Sequence, residues 1–206
     1  MTTTATAPIV TIALTCNTIT REIHSPDELS TIWEQKPTHC DAIRTGAPLT
    51  AHEQQAVSTA GYDSPTSIKT LYELCATIDE TDVYLQPDYS PSPEQTKEIL
   101  GMLVLCPAYP LAERLQQAVQ RGQSDVAAEA NGELFSSGTF RVGEQIKPGT
   151  YAIEGDIKDC YWERTDRTGK TIDNNFIAGA KRVQVTIRAS DYSFTSERCG
   201  TWRRVR

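Results

Sequence analysis

Cys160-Tyr161-Trp162-Glu163-Arg164 and Cys199-Gly200-Thr201-Trp202 are the two runs on which the reading of this chain turns. Both lie between Gly138 and Trp202, where apolar and polar residues alternate. Phe140/Val142, Tyr151/Ile153 and Val183/Val185/Ile187 each skip one position, and Arg182, Gln184, Thr186 and Arg188 fill the other face of the last run. A period of two marks half-buried antiparallel strands. Lys147-Pro148-Gly149-Thr150, Arg167-Thr168-Gly169-Lys170 and Ala178-Gly179-Ala180 supply turn residues between the runs. Six or seven short strands at this spacing predict a small antiparallel β-sandwich or barrel over residues 133–206. Along the first run, Cys160, Trp162 and Arg164 share one face, while Tyr161 and Glu163 take the other. A cysteine that must reach Cys199 across the domain points inwards. Trp162 is therefore predicted in the core and Tyr161 outside.

Upstream the period lengthens. Pro8 to Cys16, with β-branched Ile9-Val10-Thr11-Ile12, predicts one opening strand. Helix starts follow. Ser25-Pro26-Asp27-Glu28 precedes a stripe of Leu29, Ile32 and Trp33 that Pro37 stops, and Thr50-Ala51-His52-Glu53 reads as a capping box with Gly61 closing the helix. A third helix from about Pro65 lines up Ile68, Leu71, Leu74, Cys75 and Ile78. Asp79 to Ser92 reads as an acidic loop. Ser92-Pro93-Glu94-Gln95 opens a fourth helix carrying Ile99, Leu100, Leu103 and Val104, and Pro110 to about Gly132 gives a fifth, weakened at Gly122. Residues 1–132 are thus expected to form a mostly helical, acidic domain, and the fold class is α+β with the β domain second.

The composition, 38% hydrophobic and 23% charged, is that of a globular chain. Residues 1–137 hold seven Lys/Arg against eighteen Asp/Glu, and residues 138–206 hold thirteen against nine. An acidic half before a basic half predicts two domains with different surfaces. The net charge of −7 and the lack of clustered basic residues outside Arg203-Arg204-Arg206 argue against nucleic acid as a partner. No apolar run is long enough to span a bilayer, and no secretory signal is legible in this chain.

Six cysteines stand at 16, 40, 75, 106, 160 and 199, none in a CxxC pair, which removes zinc ribbons, thioredoxin-like redox sites and iron–sulfur clusters. Their even number and their placement at element boundaries predict disulfides. Domain logic selects Cys16–Cys40, Cys75–Cys106 and Cys160–Cys199 from fifteen pairings. Disulfides in turn predict an oxidising compartment.

Gly138-Thr-Phe-Arg-Val-Gly143, Ile146-Lys-Pro-Gly-Thr-Tyr151, Cys160-Tyr-Trp-Glu-Arg164, Ile172-Asp-Asn-Asn175, Val185-Thr-Ile187, Asp191-Tyr-Ser-Phe194 and Cys199-Gly-Thr-Trp202 together resemble a module of actinobacterial exported and cell-envelope proteins, which often stands at their C-terminus. Cys40-Asp-Ala-Ile-Arg44, Gly61-Tyr62, Leu71-Tyr-Glu-Leu-Cys75, Ser90-Pro-Ser-Pro-Glu94 and Cys106-Pro107 resemble the helical half that accompanies it in some members. The resemblance implies a secreted or envelope-associated protein. It supplies no catalytic residue, cofactor or ligand.

The residues themselves offer little catalytic chemistry. His24, His39 and His52 are the only histidines, and no GxSxG elbow accompanies them. His39-Cys40-Asp41 reads as a loop beside a disulfide. Asp79-Glu80-Thr81-Asp82 lacks the glycine and terminal Glu of an EF-hand. Glu94/Glu98 and Glu129/Glu133 are ordinary pairs on helix faces. The polar cluster Asp173, Asn174 and Asn175, set between strands, together with Tyr161, forms the candidate ligand contact; turn-making by the Asx side chains is the simpler reading of the cluster. The expected function is non-enzymatic, with no cofactor or metal: an extracytoplasmic binding protein whose partner is another protein or an envelope glycan. A structural component of a virion or surface assembly, and a hydrolase with a site between the domains, are the rival readings.

Overall fold

The computed structural model describes residues 10–46 and 48–205. Pro8 and Ile9 of the predicted opening strand lie outside the described residues. The chain forms two compact units, Met1–Gln123 and Ser124–Arg206.

The helices expected in the first unit are joined by a three-stranded sheet, of which the sequence announced only the opening strand. Strands β1 (Thr11–Cys16), β2 (Ile19–Ile23) and β3 (Cys40–Thr45) form an antiparallel sheet in the order β2-β1-β3. Ile12, Leu14 and Cys16 are buried at alternate positions of β1, as one covered sheet face requires. The other two strands carry too few apolar residues to show a period: only Ile23 is buried in β2, and only Cys40 and Ala42 in β3. Cys16 faces Cys40 in register, and a disulfide closes them at a Cα separation of 4.1 Å.

The helices pack on this sheet. A 3₁₀ turn at Pro26–Leu29 leads into the short α1 (Ser30–Trp33), which buries Leu29 and Ile32 and sends the Trp33 indole N–H to the Cys75 carbonyl at 2.7 Å. The capping boxes of α2 (Ala51–Thr59) and α4 (Pro93–Leu105) are both complete, Thr50 with Glu53 and Ser92 with Gln95. Helix α3 (Ile68–Ala76) buries Ile68, Leu71, Tyr72 and Cys75, and the Cys75–Cys106 disulfide ties it to the end of α4. Helix α5 (Ala112–Ala130) runs unbroken through Gly122. A Cβ there would sit 2.6 Å from the Pro91 carbonyl oxygen, so this glycine permits a close approach and does not weaken the helix.

One polar group lies at the centre of this unit. Glu53, 1% exposed, accepts from Arg44 Nε at 2.6 Å and Nη2 at 2.9 Å, from the Thr50 N–H at 2.8 Å and from the Tyr72 hydroxyl at 3.0 Å. A carboxylate this deep is tolerated only when paired and hydrogen-bonded on both oxygens. Glu53 is, so one residue caps α2, neutralises Arg44 on β3 and satisfies Tyr72 on α3. Burial pushes its carboxyl up, but the bonds from Arg44, Thr50 and Tyr72 outweigh burial and hold its pKa below the ordinary 4.5.

In the second unit β4 (Leu134–Phe135), β5 (Gly138–Arg141), β6 (Gly149–Thr165), β7 (Thr171–Ile187), β8 (Ser193–Glu197) and β9 (Trp202–Arg204) form one antiparallel sheet. Of the expected sandwich or barrel, the single curled sheet stands nearer the barrel, and the length of β6 is what makes it one sheet. β6 pairs with β7 along one side, and its other side is shared between β9 at Tyr151–Ala152 and β8 at Tyr161–Thr165. A register shift between Glu154 and Ile157 interrupts the ladder between those two stretches. β4 and β5 end the strand path, yet Phe135 and Phe140 bring their rings to 4.9 Å, so the sheet curls around its core. That core is aromatic: Phe194 stacks on Trp162 at 6.3 Å and meets Trp202 edge-on at 5.6 Å, and Phe135 meets Tyr151 at 4.9 Å. The Cys160–Cys199 disulfide belongs to the same cluster.

The predicted turn at Ala178-Gly179-Ala180 is instead part of β7, where Gly179 pairs with Lys158. The turn that does form follows β6: the Asp166 carboxylate accepts from the Thr168 N–H, the Thr168 hydroxyl and the Lys170 N–H. On the inner face of β6, Arg164 is buried and its Nε lies 3.2 Å from Asp191, while its Nη1 donates to the Thr186 carbonyl at 2.6 Å.

Replacing Glu53 by Ala removes the carboxylate of a buried ion pair, and the loss should be about 3–5 kcal/mol in denaturant unfolding. Because the folded pKa of Glu53 is depressed, its stabilisation is complete above the unfolded pKa and is lost as pH falls through the folded value. Glu53→Gln should therefore flatten the acid side of a stability profile taken from about pH 7 to about pH 3. A variant profile parallel to the wild type's would place the acid sensitivity elsewhere.

Candidate functional site

The two faces of β6 separate what holds the unit together from what it offers to solvent. Cys160, Trp162 and Arg164 point into the core and are all buried; Tyr161 and Glu163 alternate with them on the outer face and are half-buried. Register with β7 extends each face sideways. Tyr161 stands opposite Phe176 and Glu163 opposite Asn174, so the outer face carries Tyr161, Glu163, Phe176 and Asn174; Ile172 lies farther along β7 in the bulge between the Arg164–Asp173 and Thr165–Thr171 pairs. Phe176 is 56% exposed and Ile172 44% exposed, among the most exposed large apolar side chains of the described residues. The Asn174 amide donates to the Tyr161 hydroxyl at 3.3 Å, and the Thr171 hydroxyl donates to Glu163 at 2.5 Å. These bonds fix the polar ends of an otherwise apolar strip.

Asp173, Asn174 and Asn175 therefore do not form one cluster between strands. They lie inside β7, where the pleat sends Asn174 to the side of Tyr161 and pairs Asp173 with Arg164 and Asn175 with Trp162 on the opposite side. Their Asx character does not make a turn here, because the turn chemistry sits at Asp166, ahead of the strand. Sequence reasoning passed over Ile172 and Phe176. The signal for Phe176 was available: Asn174 and Phe176 alternate in step with Tyr161 once β7 is allowed to begin at Thr171.

The ribbon has a second property. β7 is hydrogen-bonded to β6 on one edge, and among the described residues no strand pairs its other edge. None of residues 171–182 is buried. The stretch Thr171–Ala180 holds a single charged residue, Asp173.

Other candidates resolve into structural roles. His24 Nδ1 lies 2.9 Å from the Val10 carbonyl, His52 Nε2 lies 2.6 Å from the Val104 carbonyl, and His39 sits 3.5 Å from Asp41 on the surface. All six cysteines are in disulfides. Of the basic tail, Arg203 makes a two-pronged contact to Asp125 at 2.6 and 3.0 Å and Arg204 reaches Glu133 at 3.1 Å, while Arg206 lies outside the described residues. Hydrogen bonds from Lys147 and Arg204 hold the Glu133 carboxyl below its usual range. Among the described residues, no group of three or more His, Cys, Asp or Glu side chains is placed to hold a metal ion, and no helix is long and apolar enough to cross a membrane.

Residues 128–203 match the model of a family described as the Rv1352-like extracellular domain. No curated protein and no solved structure matches the chain. The matched segment covers the curled sheet, and its extracellular description agrees with three disulfides in pointing to the outside of the cytoplasm.

The division between faces can be tested directly. Trp162→Ala removes a buried indole and should cost about 3–5 kcal/mol, read as a lower unfolding midpoint. Tyr161→Ala and Phe176→Ala remove solvated rings and should each change stability by under about 1 kcal/mol. Equal losses for Trp162 and Phe176 would mean that the outer strip is covered by the protein itself.

Proposed function

We propose that this chain is a secreted or envelope-associated binding protein, not an enzyme, and that β7 is where it takes a protein partner. The observation that carries the reading is the free edge of β7. A strand of 17 residues with one open edge is a template for another strand, and proteins ordinarily blunt such edges with charges, prolines or short length. Thr171–Ala180 has one charge and no proline, and it shows Phe176 and Ile172 to solvent beside the open backbone. Strand addition suits this surface: main-chain bonds along β7 give affinity, and the Tyr161–Phe176 pair, with Ile172 exposed farther along the strand, selects side chains of the incoming strand. A glycan needs the strip but not the edge, so the protein partner is the better fit. The disulfide-bonded cysteines, and the rings of His24 and His52 turned to backbone carbonyls, favour binding over hydrolysis.

The test uses the full chain against solubilised envelope proteins and, separately, purified peptidoglycan, with hydrogen exchange read at residues 171–182. Binding from the protein fraction should slow exchange of the outward β7 amides, and Phe176→Lys with Ile172→Lys should weaken it at least tenfold while leaving the unfolding midpoint in place. Binding to peptidoglycan with unchanged β7 exchange would overturn the protein-partner reading. A wild-type chain that dimerises at micromolar concentration through the same amides would replace it with self-assembly.

A further inference from the structure

A groove in the first unit, independent of the β7 surface, has a chemistry of its own. It encloses about 290 Å³ between β3, α3, the Asp79–Leu85 loop, α4 and the start of α5. Its floor is apolar: Leu85, Ile99, Met102 and Leu115 are buried there, with Leu74 half-buried beside them. The rest of its lining holds the carboxylates of Asp41, Glu73, Asp79 and Asp82, the imidazole of His39, the half-buried ring of Tyr84 and the buried ring of Tyr109. No lysine or arginine lines it.

Asp79, Asp82 and Glu73 are each held by neutral donors, which fix them in place without cancelling their charge. Asp79 accepts from the Thr81 N–H at 2.9 Å and the Thr81 hydroxyl at 2.6 Å, and these bonds hold its pKa below the usual range. Asp82 accepts from the Tyr84 N–H at 2.9 Å, and Glu73 accepts from the Ala42 N–H at 3.2 Å. Two weak competitors stand at the surface: Lys69 Nζ lies 3.6 Å from Glu73, and His39 lies 3.5 Å from Asp41. The Tyr109 hydroxyl donates to the Thr77 carbonyl at 2.7 Å; burial, with the charges of Asp82 and Asp79, pushes it up to about 12. It stays protonated and adds no charge of its own.

An apolar floor under an anionic rim selects one kind of occupant. A neutral apolar molecule leaves the rim unused, and an anion is repelled by it. A cation with an apolar body satisfies both. The volume stands at the small end of ligand sites, fitting a short stem. We propose that this groove binds a small organic cation: an ammonium head at the Asp79–Asp82 rim on a short alkyl or aryl stem against Ile99 and Met102.

The experiment titrates the full chain with n-hexylammonium, 1-hexanol and hexanoate, following the methyl resonances of Met102 and Ile99 with calorimetry alongside. Hexylammonium should shift both methyls and bind at least tenfold more tightly than hexanol, with hexanoate weaker still. The pair Asp79→Asn and Asp82→Asn keeps the acceptor oxygens that hold the loop and should reduce hexylammonium to the affinity of hexanol while hexanol itself is unchanged. Asp41→Asn, on an exposed rim position, should give a smaller loss in the same direction should the double variant unfold. Equal binding of hexylammonium and hexanol, or methyls that no probe shifts, would overturn the proposal.

Discussion

The Cys160–Cys199 disulfide decides which side of β6 faces the core, and the C-terminal unit follows from that choice. The bond closes a loop of 39 residues at a Cα separation of 4.3 Å, and both cysteines are buried. In the chain-entropy picture such a closure contributes about 4 kcal/mol. Its geometric effect reaches further. With Cys160 inward, a pleat of period two must send Trp162 and Arg164 inward as well. Trp162 then meets Phe194, which meets Trp202, and the aromatic cluster fills the curl of the sheet. Arg164 has no such welcome, so it requires Asp191, and the loop between β7 and β8 is anchored by that need. Tyr161 and Glu163 are left facing out, where β7 presents Phe176 and Asn174 beside them. The candidate face is the complement of the core.

The first unit solves a different problem with similar means. Its sheet has three strands and its first helix a single turn. Two disulfides and one buried carboxylate supply the cross-links between elements that a larger core would provide by packing alone. Cys16–Cys40 ties β1 to β3, Cys75–Cys106 ties α3 to α4, and Glu53 joins α2, β3 and α3 through three partners. Placing the cross-links inside leaves the Asp79–Leu85 loop free to carry its carboxylates over the groove rather than into the core.

Much of this was legible where local chemistry is strong. Thr50/Glu53 and Ser92/Gln95 announced their helices because a capping box is a short-range hydrogen-bond pattern. The inward and outward faces of Cys160 to Arg164 followed from alternation, and the nearest-neighbour cysteine pairing from order along the chain. Where distant residues decide, the sequence misled. β2 and β3 have nearly no apolar period, because β1 supplies their pairing and helices cover only part of them. Ala178-Gly179-Ala180 looks like a turn, yet the ladder from β6 carries the chain straight through it. Asp173-Asn174-Asn175 was set between strands for the same reason, which hid Phe176. The two buried ion pairs had partial signals: Arg164 stood on the predicted core face and Glu53 at a cap, but neither Asp191 nor Arg44 is identifiable as the partner without the fold.

An extracytoplasmic binding protein stapled by three disulfides is the claim on which the rest depends, since a reduced chain would lose the constraint that orients β6 and the compartment in which a partner is sought. The direct measurement is non-reducing peptide mapping of the protein isolated from its own cells with thiols blocked at lysis. Linked peptides 16–40, 75–106 and 160–199 with no alkylated cysteine are the required result. Six alkylated cysteines in folded protein would contradict it, and a different pairing of Cys160 would contradict the division of β6 into a core face and an outer face.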